Sequence, residues 1–264
     1  MPAALLCLDL GNSRLKGLLW RDGRASAGLA LAAEAGPAAW EAALAEPLAA
    51  AAGRVALTSV RPAEAARLRD WLAGRGARCW QLASDMPLPF PTALRDRRTL
   101  GADRLCNAAA AWAEHLAPAL LVDAGTAITV DLIDPAGCYL GGAILPGPAL
   151  ALAALAAGTA QLPRVQAEWP PQPWGGDTAE ALAAGALWGG LAAVEGLVAR
   201  LRRTWPAATA VLTGGLAPAL AARWQEGAAR LEPDWTLRGL AALASAAGDW
   251  PGEGEGRWDD EGGQ

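Results

Sequence analysis

The sequence predicts an α/β protein built from two related halves, each with a mixed sheet flanked by helices. Apolar runs at residues 5–8 and 119–122 each lead into an Asp that is followed two positions later by Gly. A second apolar run follows each polar turn, which is the pattern of strand, turn and strand. Asp123 lies 114 residues after Asp9, and Gly125 lies 114 residues after Gly11. This internal repeat indicates a duplicated architecture.

The other predicted elements favour the same fold class. The first half contains a hairpin, an Ala-rich helix broken near Pro37 and Pro47, a strand, a helix and a strand, at residues 3–20, 30–52, 54–60, 62–73 and 78–82. After a Pro-rich loop, helix 101–116 leads to the second half. That half contains a hairpin, a Gly-rich strand end, two helices, a strand and a final helix, at residues 120–134, 141–148, 149–157, 178–203, 210–213 and 237–247. Strands that alternate with helices predict a mixed sheet with helical crossovers.

Composition limits the function classes. The formal charge of −5 gives no electrostatic case for nucleic-acid binding, which favours a basic surface. Pro, Gly or charges interrupt each apolar run, so we expect no membrane span. The start of the chain lacks a signal-peptide pattern, and a cytoplasmic protein is predicted. The four scattered Cys residues predict buried thiols. The only histidine, His115, is interpreted as solvated or capping, which disfavours catalytic schemes that require His.

The two Asp-x-Gly turns indicate phosphate chemistry. Each offers a carboxylate and backbone amides around a Gly, and Thr126 adds a hydroxyl to the second turn. Such groups suit a metal-bound polyphosphate, and Gly lets another group approach the backbone closely. Neither turn leads directly into a helix, and neither contains a Walker or a Rossmann motif. The alternative is a plain hairpin with a hydrogen-bonding Asp at its bend.

Three further segments are candidate binding elements. Asp103 and Arg104 open an apolar helix, where backbone amides favour an anion, although Asp103 could instead be a simple N-cap. The Gly pair 214–215 ends a strand and leaves room for a flat base such as adenine. Small residues along helix 178–203 allow another helix to approach closely, which favours a dimer or domain interface.

Five motifs, in this order, resemble those of type III pantothenate kinases, a family of the actin, sugar-kinase and acetate-kinase superfamily. They are DLGNSRLK at 9–16, LGADR at 100–104, VDAGTAITVD at 122–131, GGAILPG at 141–147 and GDTAEAL…G at 176–185. The resemblance covers residues 3–248 and implies two duplicated ribonuclease-H-like domains. Domain 1–117 would carry the first phosphate motif and the substrate motif, and domain 118–248 the second phosphate motif and a dimer interface. The Gly- and acid-rich tail 249–264 lies outside the resemblance, and we expect it to be disordered.

The resemblance implies transfer of a phosphoryl group from ATP to pantothenate, the first step of coenzyme A synthesis, by a cytoplasmic homodimer. Asp103 would be the general base, Asp123 would bind a monovalent cation (K⁺ or NH₄⁺), and Asp9 would organise Mg²⁺ through water. The implied pantothenate-binding residues are Gly101, Ala102, Asp103, Arg104 and Thr178, the last from its own or the neighbouring subunit. The implied ATP-binding residues are Asp9, Leu10, Gly11, Asn12, Ser13, Arg14, Leu15, Lys16 and Thr126.

One position departs from the family pattern. Type III pantothenate kinases usually have a Tyr nine residues before the general base, whereas this chain has Leu94. We therefore expect weaker or altered pantothenate binding with the chemistry intact. Two rival hypotheses remain: a nucleotide-binding regulatory relative without kinase activity, and a kinase for another small hydroxy acid or sugar. The presence of Asp103 and Asp123 favours the active pantothenate kinase over the regulator.

Overall fold

The structure is a computed structural model that describes residues 4–26, 28–83, 85–247 and 250. The chain divides into two compact units. Unit 1 contains Met1–Pro89, Arg98–Ala109 and Thr236–Gln264, and unit 2 contains Phe90–Arg97 and Ala110–Trp235. The sequence predicts two continuous domains that meet at residue 117, whereas these units are discontinuous. Except for Trp250, the tail that was expected to be disordered lies outside the described residues.

The elements up to the middle of the chain form a sheet of six strands with three helices. The strands are β1 (Leu5–Leu10), β2 (Arg14–Arg21), β3 (Arg24–Ala25), β4 (Leu29–Ala32), β5 (Arg54–Ser59) and β6 (Arg78–Gln81). The helices are α1 (Pro37–Ala50), α2 (Pro62–Ala73) and α3 (Ala102–Ala113). The sheet order is β3-β2-β1-β5-β6, with β4 also on β2. Strands β1 and β2 are antiparallel, and β5 and β6 continue the sheet in parallel.

The predicted helix over 30–52 was wrong in its first part. Residues Leu29–Ala32 form β4, which pairs antiparallel with β2, and the helix begins only at Pro37. Pairing with the edge of a sheet here overrides the helix propensity of Ala. Pro37 occupies the first turn, where its missing N–H is harmless, while Pro47 lies inside the helix.

One face of the unit 1 sheet builds the core. Side chains at alternate positions of β1 (Leu6, Leu8 and Leu10) are buried in one cluster with Trp40 of α1 and Trp71 of α2. Because successive side chains of a strand point to opposite faces, Cys7 and Asp9 lie on the other face. The polar residues of the first motif therefore lie on the face opposite this cluster.

The elements that follow form a five-stranded sheet and the remaining helices. The strands are β7 (Ala119–Ala124), β8 (Ala127–Ile133), β9 (Tyr139–Pro146), β10 (Thr209–Thr213) and β11 (Ala229–Leu231). The helices are α4 (Pro148–Gly158), α5 (Thr178–Ala184), α6 (Gly190–Thr204), α7 (Ala217–Ala221) and α8 (Trp235–Ala246), and a π-helical turn (Gly185–Gly189) joins α5 to α6. The sheet order is β11-β10-β7-β8-β9, with an antiparallel β7–β8–β9 meander and parallel β7, β10 and β11.

The two sheets therefore have the same plan, an antiparallel meander followed by two parallel strands. In unit 2, Leu120 and Val122 of β7 are buried in one cluster with Leu191, Val194 and Val198. Asp123 lies on the opposite face, as Asp9 does in unit 1. The duplication that the two Asp-x-Gly turns predict is thus present in the sheets.

The long predicted helix is continuous from residue 178 to residue 204. Within the described residues it is the single helix long and apolar enough to span a membrane by length and composition, and 39% of its most apolar window is buried. The expectation that no apolar run reaches that length was wrong, because the glycines at 185, 189, 190 and 196 do not interrupt the helix. Its residues Leu191, Val194 and Val198 are part of the unit 2 core.

Candidate active site

The first phosphate turn lies between β1 and β2 and is fixed by backbone and side-chain hydrogen bonds. The Gly11 N–H donates to the Arg14 carbonyl at 2.9 Å, which closes the turn. The Arg61 guanidinium donates to the Asn12 carbonyl at 3.0 Å and pairs with Glu34 and Glu64 at 2.5 Å each. The hydrogen bonds from Arg61 hold the pKa values of Glu34 and Glu64 below their ordinary range. The turn is thus anchored to α2 before any ligand binds.

The substrate motif opens α3. The Gly101 carbonyl accepts hydrogen bonds from the Arg104 and Leu105 amides at 3.1 and 3.3 Å. Asp103 is the second residue of the helix, and its Oδ1 accepts the Arg104 N–H at 2.8 Å. The alternative of Asp103 as an N-cap was therefore wrong, because the N-cap precedes the helix. A Cβ on Gly101 would collide with Asp103 Oδ1, so the glycine leaves room for this carboxylate.

Asp9 and Asp103 act on the same buried thiol. Burial raises the pKa of Cys106 well above its ordinary value, and the negative charges of Asp9 and then Asp103 raise it further. Coulomb effects between side chains fall off with distance, so both carboxylates lie in the neighbourhood of Cys106. Unit 1 therefore brings together the first phosphate motif and the predicted general base.

The sheet register gives each motif Asp two neighbours. Asp9 lies opposite Lys16 on β2 and opposite Thr58 on β5. Residues directly opposite each other in a ladder project from the same face of the sheet. Lys16, Asp9 and Thr58 thus form a row of ammonium, carboxylate and hydroxyl across unit 1, which we call row 1.

Unit 2 has the corresponding row. Asp123 lies opposite Thr129 on β8 and opposite Thr213 on β10. Thr129, Asp123 and Thr213 thus form a row of hydroxyl, carboxylate and hydroxyl, which we call row 2. The hydroxyls of Thr58, Thr129 and Thr213 are buried. Those of Thr129 and Thr213 have no hydrogen-bond partner among the described residues, and Thr58 lies beside the Cys106 thiol, which is only a weak partner. Sequence reasoning did not identify Thr58 and Thr213, because only the pairing of distant strands brings them beside the aspartates. Thr129 lies within the second phosphate motif, on the neighbouring strand of the same hairpin.

The Gly pair after β10 packs against Asp123. Gly214 has φ of +91°, and a Cβ there would lie 2.5 Å from Asp123 Oδ1 and 2.5 Å from the Ala124 carbonyl oxygen. The Leu216 N–H donates to that carbonyl at 2.9 Å. Gly214 is thus needed for this turn to approach the second phosphate motif. This is a structural role beside the predicted one of making room for a flat base.

The second phosphate turn is closed by the Gly-rich end of β9. The Gly147 N–H donates to the Thr126 carbonyl at 3.0 Å, and a Cβ on Gly147 would lie 2.5 Å from that oxygen. Among the described glycines, neither Gly11 nor Gly125 has positive φ. A Cβ would make only ordinary contacts at these two positions, with the nearest atoms at 3.5 and 3.6 Å. Their lack of a side chain therefore leaves open space at the two turns.

The remaining predicted residues lie elsewhere in unit 2. Thr178 is exposed at the first position of α5, where Asp177 is the N-cap and accepts the Glu180 N–H at 2.8 Å. Leu94 is half-buried, and its Cδ2 would be 3.2 Å from a Cβ on Gly141. Tyr139 is fully buried and donates to Asp131 Oδ1 at 2.7 Å, so its hydroxyl does not replace the missing family Tyr.

The oxygen ligands around the two aspartates are few. They fit a cation whose other ligands are water or nucleotide oxygens. No group of three or more His, Cys, Asp or Glu in the described residues could hold a metal ion by itself. Each row instead offers one carboxylate with adjacent hydroxyl oxygen. Mg²⁺ keeps several waters and is commonly bound through one or two carboxylates together with substrate phosphates. The residues present therefore fit a cation bound together with a nucleotide.

The sheet order, an antiparallel meander extended by two parallel strands, is that of a ribonuclease-H-like domain. Two such domains form the fold of the actin and sugar-kinase superfamily, and solved structures of that class share the fold. An ethanolamine utilization protein from Carboxydothermus hydrogenoformans aligns with a TM-score of 0.55 at 13% identity, over 92% of this chain and 90% of its own. The activator of a 2-hydroxyisocaproyl-CoA dehydratase from Clostridium difficile, with bound ADPNP, has a TM-score of 0.51 at 13% identity, over 92% and 95%.

Sequence comparison gives the family. A family model described as type III pantothenate kinase matches residues 5–200, and the chain belongs to that family. Type III pantothenate kinases from Acidiphilium cryptum and Paramagnetospirillum magneticum are 39% and 45% identical over 185 and 145 residues. These matches cover 67% and 54% of this chain. They span 65% and 55% of the relatives' own length, which is less than two thirds.

Proposed function

We propose that the protein phosphorylates pantothenate with ATP, which yields 4′-phosphopantothenate and ADP, the first step of coenzyme A synthesis. The observation that carries this proposal is the neighbourhood of Asp9 and Asp103 around Cys106. A phosphate motif close to a candidate base is what phosphoryl transfer to a hydroxyl requires. Family membership supplies the acceptor, since the relatives are named type III pantothenate kinases.

Asp103 acts as the general base. It orients the primary hydroxyl of pantothenate, whose oxygen forms a bond to the γ-phosphorus while the bond from that phosphorus to the β,γ-bridging oxygen breaks. The proton of the hydroxyl passes to the Asp103 carboxylate, and ADP carries away the electron pair. Phosphoryl transfer depends mainly on positioning and on charge neutralisation, so an Asp of ordinary acidity suffices. The hydrogen bond from the Arg104 amide fixes the carboxylate at the start of α3.

The other site residues bind and orient. Residues 9–16, with Arg14 and Lys16 as the cationic members, bind ATP phosphates, and Thr126 binds phosphate at the second turn. Gly101, Ala102, Arg104 and Thr178 bind pantothenate, with Arg104 matched to its carboxylate. Mg²⁺ bound with ATP neutralises the phosphate charge, with Asp9 as its organiser through water. Asp123 binds a monovalent cation, K⁺ or NH₄⁺.

The active form is a cytoplasmic homodimer. Support comes from apolar side chains exposed on unit 2, where Ile144 is 64% exposed and Leu150 and Leu155 of α4 are 47% and 41% exposed. Exposed small residues of the long helix, Gly185, Gly189 and Gly196, permit close helix approach. Light scattering at several protein concentrations tests this: we expect the mass of two chains, and a monomer at all concentrations would contradict it.

A coupled ADP-release assay tests the reaction. With Mg²⁺ and K⁺ present, we expect ADP formation with pantothenate as acceptor and none above background with small sugars or other hydroxy acids. Leu94→Tyr should lower the KM for pantothenate and leave kcat unchanged, because Leu94 provides an apolar wall without a hydroxyl. Turnover with another acceptor alone would favour the kinase of different specificity. ATP binding without any turnover would favour the regulatory relative.

A further inference from the structure

Three buried threonines that lie beside the motif aspartates lack a strong hydrogen-bond partner. In the described part of the chain these are Thr58, next to Asp9, which has only the weakly bonding Cys106 thiol beside it, and Thr129 and Thr213, on either side of Asp123, which have no partner. Thr58 and Thr213 are each only 1% exposed, and Thr129 is 9% exposed. A buried hydroxyl without a partner destabilises a fold. Buried hydroxyls with incomplete hydrogen bonding occur beside both aspartates. They therefore point to a ligand that supplies the missing hydrogen-bond partner.

The chemistry of the two rows indicates what this ligand is. The Cβ atoms of directly opposite residues in a sheet lie about 4.5–5.5 Å apart, so a carboxylate and a neighbouring hydroxyl can contact one small species between them. A hydroxyl both accepts and donates, and its oxygen is a hard ligand like that of a carboxylate. A hydrated cation is the species that both groups bind.

We propose that Thr58 and Thr213 are positioning residues that, with the adjacent Asp, bind a cation or its water. At Asp9 the cation is the divalent ion of the nucleotide, and at Asp123 it is the monovalent ion, for which Thr129 supplies a third oxygen. This inference rests on the proposed function, which names the two cations. The duplication supports it independently, because Thr58 and Thr213 occupy the same ladder position beside Asp9 and Asp123.

Nucleotide binding tests the assignment without turnover. The binding of a fluorescent ATP analogue is titrated against Mg²⁺ and against K⁺ for the wild-type chain, Thr58→Val and Thr213→Val. Valine keeps the shape of threonine and removes only the hydroxyl. We expect Thr58→Val to raise the half-saturating Mg²⁺ concentration about 10-fold and Thr213→Val to raise that of K⁺ about 10-fold, since each loses a hydrogen bond to a charged group. Thr58→Ser and Thr213→Ser should restore the wild-type values.

Thermal unfolding separates this role from a structural one. Without ligands, the Tm of Thr213→Val should equal or exceed that of the wild type, because this variant removes an unpaired polar group. Thr58→Val should change Tm little, because the Cys106 thiol beside Thr58 is a weak hydrogen-bond partner. Thr236→Val is the matched control: its hydroxyl donates to the buried Asn107 at 2.8 Å, so Tm should fall while both cation titrations stay unchanged.

Four results have distinct meanings. Wild-type cation dependence in both valine variants would overturn the inference, as would failure of the wild-type chain to bind nucleotide. The expected shifts without pantothenate-dependent turnover would support the inference and contradict the proposed function alone. Shifts of both cations in each variant would contradict the assignment of one cation to each row.

Discussion

Row 1 and row 2 have the same backbone frame but different charges. In each, an Asp at the end of the first strand of the sheet is flanked by one antiparallel and one parallel neighbour. The parallel neighbour is Thr in both, at Thr58 and Thr213. The antiparallel neighbour is Lys16 in row 1 and Thr129 in row 2. Row 1 therefore balances its carboxylate with an ammonium group, whereas row 2 surrounds its carboxylate with neutral oxygens.

The roles proposed for the two rows follow this difference in charge. Row 1 contains the Lys16 ammonium group, which suits an anionic phosphate. The divalent ion comes with that phosphate, which already neutralises its charge. A row of one carboxylate and two hydroxyls carries a net negative charge, which suits a monovalent cation. In this proposal, the residue next to the aspartate, Lys16 or Thr129, distinguishes the phosphate-binding turn from the cation-binding turn.

Among the residues of the two rows, the largest expected effect comes from removing each carboxylate. Asp9→Asn should lower kcat about 100- to 1,000-fold at all K⁺ concentrations, since the phosphate charge is no longer organised in the transition state. Asp123→Asn should abolish activation by K⁺ and leave the dependence on Mg²⁺ unchanged. Steady-state kinetics over both cation concentrations give the result, and identical cation profiles of the two variants would contradict a division of labour.

Two glycines distinguish stability from function at the second turn. Gly214→Ala should lower the free energy of unfolding by about 2–3 kcal/mol, because it forces a side chain into positive φ and against Asp123. Gly125→Ala, where a Cβ meets only the Ala127 carbonyl oxygen at 3.6 Å, should remain stable but raise the KM for ATP. Urea unfolding and kinetics of both variants provide the measurement. Equal destabilisation would show that Gly125 has a structural role.

Exchange of the differing row members is the next test. Lys16→Met should raise the KM for ATP about 10-fold through loss of one phosphate contact. Thr129→Lys should place an ammonium group in row 2 and make activity independent of K⁺. Kinetics with and without K⁺ decide both. Thr92→Val is a control, since the Thr92 hydroxyl accepts the loop amide of Leu94 at 3.2 Å and belongs to neither row. Unchanged K⁺ activation in Thr129→Lys would contradict the role of row 2.

The smallest expected effect is a loss of stability at alkaline pH, caused by buried thiols in unit 1. Burial raises the pKa of the Cys79 thiol to about 11, and it also raises the pKa values of Cys7 and Cys106. Unfolded thiols ionise near pH 8.5, so stability is fully present below that pH and falls as pH rises through about 11. We expect the unfolding free energy to fall over this pH range, and to fall less in Cys79→Ala, which lacks this buried thiol. A loss of the same size in Cys79→Ala would contradict the assignment.

The sequence predicts the motifs well but not their neighbours. Both hairpins, the α3 start at the substrate motif and the long helix from Thr178 are encoded by local patterns of apolar residues, Gly and capping residues. Thr58 and Thr213 are adjacent to aspartates that lie 49 and 90 residues earlier, and only strand register reveals this. Strand β4 was missed because an Ala-rich segment pairs with β2, and the short elements α7 and β11 were not predicted. The assignment of Thr236–Ala246 to unit 1 depends on contacts such as Thr236 with Asn107.

The most direct test of the central claim is ³¹P NMR of ATP and pantothenate incubated with the wild-type chain and with Asp103→Asn, in Mg²⁺ and K⁺. The wild type should convert the ATP γ-phosphate into a phosphomonoester resonance in step with ADP. Asp103→Asn should bind ATP normally and form the product about 100- to 10,000-fold more slowly, as expected for loss of a general base. Inorganic phosphate in place of the phosphomonoester, or wild-type rates in Asp103→Asn, would contradict pantothenate phosphorylation by this base.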